Sequence, residues 1–104
     1  MPVKNRFAEL QKEISEWRHD FHAHPEILFE THRTSKIVEQ KLKSFGCDSV
    51  IFGLGRTGVV GIIHGRENTK DSVIGLRADM DALPIEETTG LSYSSNIKLS
   101  LIHI

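Results

Sequence analysis

Two short apolar runs limit what this chain can fold into. Val59-Val60-Gly61-Ile62-Ile63-His64 and Ser72-Val73-Ile74-Gly75-Leu76-Arg77 place aliphatic residues at consecutive positions rather than alternate ones. Successive side chains of a strand point to opposite faces, so strands written this way are apolar above and below and require cover on both sides. Ser49-Val50-Ile51-Phe52 reads as a strand ahead of them, and turn-rich GLGRTG and GRENTKD separate the three.

Cover must come from helices, and the sequence offers two. Phe7, Leu10, Ile14, Trp17 and Phe21 recur at spacings of three and four, with Glu9, Lys12, Glu13 and Glu16 between them. This predicts an amphipathic helix from about Asn5 to His22, with Asn5 as its N-cap. Pro25 disfavours the helical conformation at His24 and marks a break. A second helix is expected to begin between Thr31 and Ser35 and to run to Phe45. Ile37, Val38, Leu42 and Phe45 form its apolar side, and Gly46 suits a left-handed C-terminal cap. Helix, helix, strand, strand, strand gives an α/β class whose sheet has only begun. Two helices are too few to cover it, so the chain reads as the opening of a larger domain.

Composition narrows the function classes. The 104 residues are 38% hydrophobic and 26% charged, with a net charge of −1. The positive residues are spread out, which provides no basic stripe for a phosphate backbone, so nucleic acid is not expected as a partner. No stretch approaches the roughly 18 apolar residues of a membrane span, and the first residues lack the apolar core of a secretion signal. A single cysteine, Cys47, allows no internal disulfide framework. The cytoplasm is the expected location.

Four stretches invite a chemical reading. Gly53-Leu54-Gly55-Arg56-Thr57-Gly58 matches G-x-G-x-x-G, but a dinucleotide site needs a helix next, whose N-terminal dipole holds the pyrophosphate. A strand follows instead, so the expectation is a glycine-rich turn between antiparallel strands. His22-Ala23-His24 matches the H-x-H pair that ligates metal on a barrel strand in one superfamily of hydrolases. At a helix end the two rings point apart, and they are expected to cap helix carbonyls before Pro25, with Glu26 and Glu30 as solvated charges. Cys47 reads as a small filler. Asp79 and Asp81 follow the last strand, ahead of a Pro84 loop that carries Glu86 and Glu87. Their carboxylates either serve a cation or orient a ligating imidazole in a crevice, or satisfy backbone donors in the turn.

Three segments taken together, "WRHDFHAHPEILFETHRTSKIVEQKLKSFG", "GRTGVVGIIHG" and "IGLRADMDALPIEETTGLSYSS", carry a resemblance from about Phe7 to Lys98. They are similar to the N-terminus of the dinuclear-metal amidohydrolases, the family of hippurate hydrolase, indole-acetyl-amino-acid hydrolase and N-acetyl-diaminopimelate deacetylase. The resemblance implies two N-terminal helices and the first strands of a zinc-exopeptidase-like catalytic domain, here incomplete. It also implies a substrate, a small N-acyl amino acid whose amide bond is hydrolysed, and two divalent ions (Zn, Mn, Co or Ni) in the full-length enzyme. By the same resemblance Asp81 stands as a carboxylate that supports metal-binding neighbours, and Asp79 stands where a wider group has a metal-binding His. A homo-oligomer is compatible with it.

The metal ligands themselves are not expected in this chain. The family has a Cys-Gly-His segment soon after the position of Lys98, whereas this sequence reads Leu99-Ser100-Leu101-Ile102-His103-Ile104. Residues 1–98 are therefore expected to be the N-terminal part of the catalytic domain, and 99–104 an anomalous tail from truncation or frameshift. His103 follows no Cys-Gly and is not expected to be a ligand, so the isolated chain is expected to be inactive and to hold metal poorly. The alternative is a non-catalytic short protein that pairs with a full-length relative along its open sheet edge.

Overall fold

The computed structural model describes residues 2–66 and 72–96, with side chains from residue 5 onward. Helix α1 runs Pro2–Ala23, α2 runs His32–Ser44, and strands β1, Ser49–Leu54, and β2, Gly58–Ile62, follow. The α/β class expected from the sequence is met, with two helices followed by two of the three expected strands. The chain divides into two compact units, one made of residues 28–81 and the other of 1–27 with 82–104.

In the 28–81 unit, β1 and β2 form an antiparallel hairpin in which Ser49 faces Ile62 and Phe52 faces Val59. Gly53 is an extra residue that shifts the register before Leu54 pairs with Gly58. The turn is the glycine-rich segment, as expected, and both Gly55 and Arg56 adopt positive φ there. At the open end, the His64 amide donates to Asp48 Oδ2 at 2.6 Å and the Asp48 amide donates to Ile62 O at 2.9 Å.

Helix α2 packs on both strands. Helix and hairpin come close at Gly61, where a Cβ would lie 3.3 Å from the Leu42 methyls and 3.2 Å from Sγ of Cys47, just past the helix. Cys47 is thus the small filler anticipated. The helix ends as its sequence directs: Gly46 takes φ +85°, the Gly46 amide donates to Lys43 O at 3.1 Å, and the Cys47 amide donates to Leu42 O at 3.3 Å. These two bonds satisfy carbonyls that the helix leaves without partners.

At the other end of α2, three hydroxyls are buried together. Thr57 Oγ1 donates to Phe29 O at 3.0 Å, Thr31 Oγ1 lies 2.7 Å from Thr57 Oγ1, and Ser35 Oγ donates to Thr57 O. Three hydroxyl protons thus meet three acceptors. The Thr31 Oγ1–Ser35 Oγ approach at 3.3 Å has no proton left to share. Relative exposures of 2%, 0% and 3% for Thr31, Ser35 and Thr57 show that water cannot replace these bonds.

In the other unit, α1 is followed by a buried Pro25 and a one-residue parallel bridge between Ile27 and Ala82. The Ala82 amide donates to Glu26 O at 2.7 Å. Ala82 is the one buried apolar residue among those described, apart from Pro25. The apolar stripe of α1 emerges into solvent toward its start, with Phe7 and Ile14 exposed, while Trp17 and Phe21 are half-buried.

Three expectations are corrected. Asn5 lies inside α1, because the helix starts three residues earlier, and so it is no N-cap. Residues 72–77 form no strand: they have no neighbouring strand among the described residues to hydrogen-bond with, and Val73, Ile74 and Leu76 are 93%, 89% and 97% exposed. The two-sided cover expected for the apolar runs is missing as well, since Val60, Ile62 and Ile63 face solvent.

So much exposed apolar surface predicts weak, non-cooperative unfolding of the isolated chain and concentration-dependent association. A sharp melt from a sample that sedimentation shows to be monomeric would contradict this. The hydroxyl cluster predicts a second result. Thr57→Val strands buried partners and lowers hydrogen-exchange protection of the α2 and hairpin amides by about 1–3 kcal/mol. Ser44→Ala, which removes an exposed bond to Lys41 O, changes it by less than about 0.5 kcal/mol.

Candidate functional site

The carboxylates singled out from the sequence line a groove within the 28–81 unit. Its volume is about 470 Å³, and its lining includes Arg77 to Asp81 together with Thr31, Thr57 and Gly58. Leu28 and Phe29 add apolar surface. Asp79 Oδ1 accepts from Arg77 Nη2 at 2.7 Å, with the two side chains 63% and 86% exposed. An ion pair this wet contributes roughly 0–1 kcal/mol. Asp81, which also lines the groove, is exposed as well. The expected setting, the mouth of a buried strand, is therefore corrected to an extended and solvated segment.

The other unit holds a tighter arrangement that the sequence reading did not assign. His22, on the last turn of α1, places Nε2 2.8 Å from Glu87 Oε1, with side-chain exposures of 8% and 3%. Thr89 Oγ1 donates to the same Glu87 oxygen at 2.6 Å, and the Ser95 amide donates to Oε2 at 2.6 Å. His22, Thr89 and the Ser95 amide hold the Glu87 carboxyl down at about 2, in that order of effect. An ionised carboxylate only accepts hydrogen bonds, so His22 carries a proton on Nε2. Its Nδ1 is buried and has no hydrogen-bond partner in the structure.

Aromatic contacts extend this cluster. The Tyr93 ring stacks on His19 with centroids 3.7 Å apart and planes 6° from parallel, and it meets His22 edge-on at 5.8 Å. The Asn96 amide donates to Ala23 O at 3.0 Å, taking up one of the carbonyls at the end of α1. Segment 85–96 is thereby fastened to the last two turns of α1 by ring stacking and by one carboxylate with three donors.

The expectation for His22-Ala23-His24 is half met. His24 Nδ1 lies 2.9 Å from Asp20 O and caps that helix carbonyl. His22 does not cap a carbonyl, because its ring points to Glu87 instead. The helix through residue 22 excludes a barrel-strand metal pair. Glu30 is an exposed charge, as expected, paired with His32 at 2.8 Å and Arg56 at 3.3 Å, whereas Glu26 is half-buried. His32 beside Glu30 is the main cause that holds its carboxyl below the usual range.

No three His, Cys, Asp or Glu side chains among the described residues come close enough together to hold a metal ion. His103 and the tail 99–104 lie outside the described residues. Glu87 escaped the sequence reading because its partner stands 65 residues away. No local pattern in the sequence distinguishes Glu87 from its exposed neighbour Glu86.

A depressed carboxyl contributes stability above its unfolded-state value of 4.5, and that contribution is lost as pH falls toward about 2. The stacking of Tyr93 on His19, followed by ring-current shifts in NMR spectra, is expected to weaken over that interval. Glu87→Gln is expected to remove this acid-dependent step and to loosen segment 85–96 at neutral pH. A ring-current profile unchanged by the substitution would contradict the assignment.

Comparison with known proteins adds what geometry alone does not. The chain is 46% identical over 95 residues to the hippurate hydrolase of Campylobacter jejuni, covering 91% of this chain and 24% of that protein. It is 33% identical over 93 residues to an N-acyl-L-amino acid amidohydrolase of Geobacillus stearothermophilus, covering 89% and 24%. A protein of Rhodococcus jostii provisionally named a glutamate–cysteine ligase is 44% identical over 90 residues, or 84% of this chain and only 10% of that protein. No family model matches, and no solved structure matches. The chain spans about a quarter of the length of the two amidohydrolases. Over most of its length the chain is thus homologous to amidohydrolases, among them a hippurate hydrolase and an N-acyl-L-amino acid amidohydrolase, which is consistent with that family.

Proposed function

We propose that residues 1–98 are the N-terminal part of a metal-dependent amidohydrolase that cleaves the amide bond of small N-acyl amino acids. The observation that carries this reading is the 46% identity to a hippurate hydrolase across 91% of the chain. The products would be a carboxylic acid and a free amino acid. The family resemblance implies two divalent ions, but the described residues offer no ligand set for them. On this reading the isolated chain is inactive.

Within this reading Asp81 is the carboxylate that fixes neighbouring side chains of the complete site by accepting their hydrogen bonds. Asp79, whose ion pair with Arg77 is exposed and weak, stands where a wider group of relatives has a metal-binding His. The location proposed is the cytoplasm; no helix among the described residues is long and apolar enough to cross a membrane.

A second reading rests on one specific observation, the solvent-exposed run Val73, Ile74 and Leu76. An extended apolar segment without a partner strand is a template for pairing, which favours association of the chain with a longer relative.

Four measurements separate the readings. Hippurate incubated with the purified 104-residue chain and added Mn or Zn is expected to release no glycine above the blank, and release would overturn the inactive reading. The DNA beyond the Lys98 codon is expected to encode Cys-Gly-His in one frame. If it does, Asp81→Asn in the longer product lowers kcat/KM by about 10–100-fold. If no frame encodes it, co-purification with a full-length relative decides whether the pairing reading holds.

A further inference from the structure

We draw no further inference here: the strongest candidate, the buried His22–Glu87–Tyr93 side-chain cluster at the C-terminal end of α1, gathers no third metal-ligating group among the described residues and accounts only for the fastening of segment 85–96 already described.

Discussion

Thr57 sits in the hairpin turn and gives both its hydroxyl and its carbonyl to the start of the second helix. Remove those bonds, and little else specifies how the turn and the helix start are held together, because the apolar side chains nearby are mostly half-exposed. A small domain normally leans on apolar burial, each fully buried aliphatic side chain contributing roughly 1.5–3 kcal/mol. Here that source is thin. Directed hydrogen bonds in dry surroundings take over the task of choosing one arrangement, since leaving such groups without partners is far costlier than making the bonds is rewarding. The Glu87 carboxylate plays the same part in the other unit, with three donors converging on two oxygens.

What the sequence revealed follows from the range of the forces involved. Helix periodicity, the Gly46 cap and the glycine-rich turn are local, fixed by residues within a few positions of each other, and all three were readable. The run at 72–77 was misread for an instructive reason. Val73, Ile74 and Leu76 have the composition of a buried strand, but a strand exists only through its neighbour's hydrogen bonds, and no local pattern supplies a neighbour. Asp79 and Asp81 were picked out by type and by family likeness, while their solvated setting was not foreseen for the same reason. The His22–Glu87 contact was out of reach, because two polar residues 65 positions apart leave no periodic trace.

The family relationship and the geometry speak about different things. Identity with a hippurate hydrolase and an N-acyl-L-amino acid amidohydrolase describes ancestry across the aligned residues. The geometry describes a groove bearing two solvated aspartates and, in a separate unit, a charged contact kept dry. Among the described residues no three His, Cys, Asp or Glu side chains meet at one point. An amidohydrolase needs several donors converging on one point, and convergence of that kind is usually assembled from distant parts of a chain.

One feature of the chain's layout bears on how it is made. The unit containing α1 is completed by residues beyond 81, whereas residues 28–81 lie wholly between its two pieces. A ribosome adding about 5–20 residues per second releases His22 roughly 3–13 s before Glu87. The hairpin and second helix close over short loops and have all their residues available first. Helix α1 meanwhile waits with His19 and His22 lacking Tyr93 and Glu87. Any factor that shelters a nascent chain has its longest opportunity to act on that helix, because the order of synthesis leaves the end of α1 waiting for its partners.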